Sequence, residues 1–300
     1  MSADASPSTP AATLPAATTV GTVRLTVSDL ARSQAFYERV LGLESTPLDD
    51  GGVALYAQDR RQAGADPVVA LHGDPSAPAL SRRATGLFHL ALLFPDRRAL
   101  AFALARVAQN RWPLDGASDH LVSEALYLSD PDGNGIELYR DRPRDEWRYR
   151  DGQLQMATLP LDLDDVLGEL RATVALQERA PSATRMGHVH LQVSELRETE
   201  AFYAGILGFD VVVRGYPGAL FVSAGGYHHH LGLNTWNSAG ASPPAPGSVG
   251  LHSYDVILPD EASLQTVVGR VRAAGIAVQA QPEGMLVRDP SGNAVVLRSA

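Results

Sequence analysis

The stretch VGTVRLTVSDLARSQAFYERVLGLE, residues 20 to 44, returns as MGHVHLQVSELRETEAFYAGILGFD at 186 to 210, identical at eleven of twenty-five positions with one constant offset. Each copy opens on an alternating apolar run that fits a strand, Val20 to Val27 in the first. Ser28-Asp29-Leu30 then caps a helix expected from about Ala31 to Leu43, ending around Gly42. A second repeat is interleaved with the first. GLFHLALLFPDRRALAFALARV (86 to 107) is echoed by GLHSYDVILPDEASLQTVVGRV (250 to 271), and LSDPDGNGIEL (128 to 138) by VRDPSGNAVVL (287 to 297). The chain is therefore four modules, at about 20–74, 85–140, 186–236 and 249–299, each a strand, a helix and roughly three more strands. The expected class is α+β, four βαβββ modules with curved, barrel-like mixed sheets.

Two domains of two modules each are expected, at 19–145 and 185–300, joined by a linker over 146–184 and preceded by a disordered Ala/Ser/Thr/Pro tail over 1–18. Within the linker, LDLDDVLGELRATV reads as a short connecting helix, and no chemistry is expected there. With 300 residues and 45% apolar content the chain can bury large cores. A net charge of −9 and the absence of any basic run exclude nucleic acid and anionic membrane as natural partners. No apolar stretch reaches membrane-spanning length, and the N-terminus lacks a secretory pattern, so a cytoplasmic location is expected. Cysteine is absent, which excludes disulfides, thiolate nucleophiles and sulfur-ligated metal. Any metal must be held by His and carboxylates.

The second module ends in a hairpin. Glu124 to Leu128 reads as a strand, Asp130 to Gly135 as a polar turn, and Ile136 to Tyr139 as the return strand. Glu137, between Ile136 and Leu138, faces away from both on a period of two, into water or into a cavity.

Of nine histidines, His188, His190, His228, His229 and His230 lie in the third module and His89 and His120 in the second, with His72 and His252 alone in the outer two. Chemistry therefore points to the two middle modules. His89 stands in an apolar strand, Leu87 to Phe94, where an unpaired imidazole is costly; taken singly it reads as a core histidine bonded to backbone. His188 begins the corresponding strand of the third module. Together His89, His188 and Glu137 are two imidazoles and a carboxylate on rigid strands, the ligand set of a facial triad with coordination positions left open. Fe(II) or Mn(II) fits this set, and Zn(II) is chemically admissible.

The repeated module, with a VxDLxxSxxFYxxxLG-like phrase after its first strand, resembles the vicinal oxygen chelate superfamily of glyoxalases, bleomycin and fosfomycin resistance proteins and extradiol dioxygenases. The resemblance covers nearly everything from 20 to 299. His120, Leu126-Tyr127, Asp130-Pro131, Asp132-Gly133 and Glu137 together are similar to the extradiol ring-cleavage signature, departing from it at Ser118. The whole chain resembles two-domain catechol 2,3-dioxygenases. The resemblance implies two tandem vicinal oxygen chelate domains and a metal held by His89, Glu137 and His188. The outer modules carry Thr22, Ser253 and Val296 at the corresponding places, so one cavity closed by the second and third modules is expected. It further implies His229 as the base near a substrate hydroxyl, and His120 with Tyr127 as acid or oxygen-orienting groups. Three consecutive histidines cannot all point inward on a strand; if the register is one off, His228 and His230 are the inward pair. His190 is expected beside the ligands, and His72 and His252 to be structural.

The implied activity is a metal-dependent extradiol dioxygenase using Fe(II), or Mn(II), with a small aromatic diol and O2 as its partners. Assembly into a homo-oligomer is left open. A glyoxalase-type isomerase or thiol transferase would share fold and metal, but the His120 and Tyr127 pattern and the absence of an obvious basic cluster for glutathione disfavour it. A metal-free binding protein of the bleomycin-resistance kind would leave the His and Glu set unexplained.

Overall fold

A computed structural model describes residues 13–81, 83–150, 153–170 and 179–300. The lead strands of the four modules are Thr19–Val27, Gly86–Phe94, Arg185–Gln192 and Gly250–Leu258. Each is followed by a helix: Leu30–Arg39, Arg97–Gln109, Leu196–Glu200 continued by the wider turns of Ala201–Leu207, and Glu261–Ala273. Every one of these helices starts beneath an acidic side chain that accepts a backbone N–H three residues on, Asp29 from Arg32, Asp96 from Ala99, Glu195 from Glu198 and Asp260 from Ser263. The first helix stops at Arg39, short of the expected Leu43. The buried Arg106 guanidinium takes the carbonyls of Val40 and Leu41 there, at 3.1 and 2.8 Å, and Gly42 turns the chain at φ +73°. Arg270 makes the same contact with the Leu207 carbonyl at the end of the third module's helix.

Two curled mixed sheets form. In the first, Gly86–Phe94 lies antiparallel to Arg185–Gln192 and parallel to Gly135–Asp141, so the second and third modules share a nine-stranded sheet. In the other, Thr19–Val27 lies antiparallel to Gly250–Leu258, and the first and fourth modules share an eight-stranded sheet. The sheets thus do not follow the expected division into 19–145 and 185–300; the pairing is nested. An alternating strand specifies which face is buried but not which neighbour completes its ladder, and the four lead strands are too alike for sequence to choose among them.

Sequential grouping persists outside the sheets. The Tyr of each FY pair reaches the Asp of the next module's DP turn, Tyr37 donating to Asp130 at 3.3 Å and Tyr203 to Asp289 at 3.0 Å. Each Asp also accepts two backbone N–H groups and the amide of its turn's Asn, Asn134 or Asn293. These repeated residues are therefore braces. They fix the turn from which the strand bearing Glu137 departs.

Part of the expected tail is ordered. Leu14 is buried and its N–H donates to the Gly208 carbonyl at 2.7 Å, so disorder is corrected for 13–18, while 1–12 lie outside the described residues. The linker contributes a short helix, Leu163–Leu167, tied by Asp165 and Glu169 to Arg97; residues 171–178 lie outside the described residues. Among the described residues no helix is long and apolar enough to cross a membrane.

Candidate active site

Register brings the site together on the nine-stranded sheet. Glu137 is the parallel partner of Ala91, His188 is the antiparallel partner of Ala91, His190 faces His89, and Tyr127 faces Glu137. Residues in register share a face, and so do residues two apart. Tyr127, Glu137, His89, His188 and His190 therefore project from one face around the small side chain of Ala91. His89 Nε2 lies 2.9 Å and His188 Nε2 3.0 Å from the same Glu137 oxygen. All three residues are buried.

This geometry suits a metal. The three donor atoms lie within 4.8 Å of one another. His188 is aligned to hydrogen-bond Glu137, whereas His89 Nε2, buried and just as close, is not aligned and has no hydrogen-bond partner among the described residues. An orphaned buried nitrogen aimed at a carboxylate already engaged by another ring is what a shared cation would satisfy. Burial pushes the His188 imidazole down to about 4, against the pull of Glu137, so its lone pair is free at neutral pH. Burial alone would raise the Glu137 carboxyl, but His188 and His89 beside it hold it well below the usual range. Two imidazoles and a carboxylate, with no sulfur, suit a divalent transition metal. At the corresponding places of the outer sheet, Thr22 donates to the Pro67 carbonyl, and Ser253 and Val296 are buried. Among the described residues no second cluster of this kind is present.

His89 and Glu137 open into a cavity of about 650 Å³. Phe88, Tyr216, Phe221 and Trp236 give it an aromatic wall, and His120, Tyr127, His190 and His229 are among its polar groups. His120 Nδ1 lies 2.7 Å from the Ala157 carbonyl, which only accepts, so the proton sits on Nδ1 and Tyr127 donates its hydroxyl to Nε2 at 2.6 Å. Burial, then the charge of Glu137, keeps Tyr127 protonated. Met156, Ala157 and Thr158 line the same cavity. The linker, expected to take no part in the site, is thus one of its walls and orients His120.

His228, His229 and His230 precede the strand Leu231–Asn234 rather than lying on it. Strand alternation does not govern them, and each takes its own direction. His229 lines the cavity, its ring 4.2 Å from that of His188. His228, fully buried, reaches Asp141 through Nε2 at 2.8 Å and His229 through Nδ1 at 2.8 Å. His230 turns away, its Nδ1 accepting the Ala224 N–H. The Asp141 carboxylate only accepts, so in the neutral pair His228 carries its proton on Nε2. His229 then donates from Nδ1 and keeps a bare Nε2. Sequence reasoning missed Asp141, yet Glu137, Tyr139 and Asp141 alternate along one strand, Gly135–Asp141, and a period of two puts them on one face. His72 and His252 lie together, rings 6.2 Å apart, on the other sheet.

A family model for the glyoxalase/bleomycin resistance protein/dioxygenase superfamily matches residues 19–138 and 185–297. A catechol-2,3-dioxygenase of Bacillus subtilis (strain 168) is 44% identical over 283 residues, 93% of this chain and 96% of its own length. Among solved structures, a putative dioxygenase from Bacillus subtilis subsp. subtilis str. 168 superposes with a TM-score of 0.63 at 14% identity, covering 96% of this chain and 86% of its own. Glyoxalase I from Zea mays superposes with a TM-score of 0.56 at 16% identity, covering 94% and 92%. At such identities the two structures speak to the fold alone.

Proposed function

The chain belongs to the glyoxalase/bleomycin resistance protein/dioxygenase superfamily, and from that premise we propose that it is an extradiol dioxygenase. It uses Fe(II), or Mn(II), to insert O2 into a catechol-like aromatic diol, breaking the ring bond beside the diol. The observation that carries this reading is the convergence of His89, Glu137 and His188 beneath an aromatic-walled cavity. The relative named catechol-2,3-dioxygenase, matched over nearly its whole length, supports the same chemistry.

A metal held by His89, Glu137 and His188 would supply Lewis acidity to a bound diol and a path by which the diol's own electrons reach O2. The protein's own groups do the rest. Phe88, Phe221 and Trp236 hold a flat ring and exclude water from it. His229, with Nε2 bare, takes a proton from a substrate hydroxyl; burial holds its imidazole well below the usual value, so it rests neutral with that lone pair open. Tyr127, pinned by His120, holds its oxygen toward the Glu137 side of the cavity, where it orients a substrate oxygen.

The test is anaerobic reconstitution with Fe(II) or Mn(II), then catechol and ¹⁸O2. The ring-opened product should carry both labelled atoms, and metal-free protein should give none. Bound metal without ring opening across a panel of substituted catechols would reject the reading.

A further inference from the structure

We infer that a second cleft, separate from the catalytic cavity, is a binding site for a small organic oxyanion, a carboxylate or phosphate carried on an apolar body. The cleft measures about 430 Å³ and shares no lining residue with the catalytic cavity. It lies where the lead strands of the first and third modules begin, with walls from Ala16 and Thr18, from Arg60 to Val68, and from the turn carrying Ala224, Tyr227 and His230.

Its charge is unbalanced. Arg60, Arg144 and Arg185 line it, and among the described residues none of them has a carboxylate partner, whereas its one acid, Asp66, is engaged by Arg298. In a chain of net charge −9 this gathers unpaired guanidinium groups around one concave surface. Exposed arginines alone could be a solvated rim. His230 argues otherwise. It is only 7% exposed, and Nδ1 accepts the Ala224 N–H at 3.1 Å, which leaves its proton on Nε2. That donor has no hydrogen-bond partner among the described residues, and the ring lines the cleft. Nε2 is the edge of this otherwise buried ring that opens to the cleft, and Thr18 Oγ1, buried in the same wall, likewise lacks a partner among the described residues; an anion's oxygen is an acceptor that fits both.

Two further features agree. Arg144 is held over the Trp147 ring at 5.4 Å and touches the Gly225 carbonyl at 3.4 Å, so its fork is oriented before any ligand arrives. Val20, Val68, Met186 and Ile257 supply an apolar surface for the ligand's body. Burial, then His228 and the charges of Arg185 and Arg144, push His230 down to about 3. The Arg185 and Arg144 charges that contribute to this shift are the ones an anion in the cleft would meet.

The test is calorimetric titration of the full-length, metal-loaded protein with benzoate and, separately, inorganic phosphate. Benzoate should bind saturably, and Arg185→Ala or Arg144→Ala should weaken it roughly tenfold or more, with partial recovery in Arg185→Lys. Glu137→Ala, titrated without metal beside metal-free parent protein, should change it by less than about twofold. Phosphate should bind more weakly than benzoate; tighter phosphate binding would overturn the apolar-body assignment. The site itself is overturned if neither probe saturates, if both alanine variants bind as the parent does, or if binding is lost with Glu137→Ala, which would put the probe in the catalytic cavity. Unchanged melting temperatures of the arginine variants, whose side chains are exposed, exclude unfolding as the cause.

Discussion

His229 meets its chain neighbour His228 nitrogen to nitrogen, Nδ1 to Nδ1 at 2.8 Å. Because His228 is anchored on Asp141 at 2.8 Å, the contact fixes which nitrogen of His229 is bare toward the cavity. His229→Ala should leave metal content intact and lower turnover by roughly 100-fold or more. Asp141→Asn keeps the shape but removes the carboxylate that orients His228, and should lower kcat by roughly 10-fold or more with KM little changed. Full activity in Asp141→Asn would show that the chain of contacts has no part in proton handling.

The metal count follows from the sheet. One cluster stands on the nine-stranded sheet, while Thr22, Ser253 and Val296 occupy the corresponding places on the other. Reconstituted protein should hold about one metal per chain, since a two-imidazole, one-carboxylate set serves a single ion. Glu137→Ala should abolish tight binding, measured by elemental analysis after desalting. Two metals per chain, or retention in Glu137→Ala, would contradict this assignment.

The module and the hairpin were legible because each is a local or repeated pattern, while the set of His89, Glu137 and His188 came from residue types together with the family resemblance. Glu137 could be read as facing away from Ile136 and Leu138 from period alone, and His89 was conspicuous in an apolar strand. Three things were not legible. The nested pairing depends on which lead strand meets which, a long-range choice among four similar strands. The directions of His228, His229 and His230 depend on a loop where no period applies. Met156 to Thr158 carry no chemistry-bearing side chain, and the carbonyl of Ala157 that orients His120 leaves no mark in sequence.

Gly187 sets how closely the third lead strand approaches the site. A Cβ there would come within 1.9 Å of the Tyr139 hydroxyl and 2.7 Å of its ring carbon, and that hydroxyl is held by Tyr227 at 2.7 Å. Gly187→Ala should destabilise by about 1–3 kcal/mol, as overpacking does, and weaken metal binding by displacing His188. Tyr139→Phe in the same chain should recover part of the loss in chemical denaturation, part only because the ring carbon still crowds. An additive double mutant would show that this contact is not the source of the strain.

Acid should destabilise the metal-free protein in a defined window. An imidazole whose folded pKa lies below its unfolded one binds fewer protons when folded, so its stability is whole above about pH 6.5 and is lost as pH falls toward the folded value. That value is about 4 for His188 and about 3 for His230. Each should cost up to about 1.4 kcal/mol per pH unit within the window. Urea midpoints at pH 7 and pH 5 measure the slope, and His230→Gln should reduce it. A flat profile across that range would mean both groups titrate normally.

The nested sheets make the two halves of the chain interdependent. Thr19–Val27 is hydrogen-bonded to Gly250–Leu258, and Gly86–Phe94 to Arg185–Gln192, so a cut in the linker severs both sheets. Residues 1–150 and 180–300, expressed apart, would each expose two lead-strand edges and the apolar faces they cover, and unpaired edges of that kind aggregate or stay unfolded. His89 and Glu137 go with one half and His188 with the other, so neither half should bind metal tightly. Mixed from denaturant, the halves should recover cooperative unfolding and metal binding together, because the same strand pairing rebuilds the sheet and brings His188 to Glu137. Circular dichroism and metal retention on a sizing column follow the two recoveries. Stable folding of either half alone, or metal binding by 1–150 without its complement, would refute the nested pairing and the three-ligand site alike.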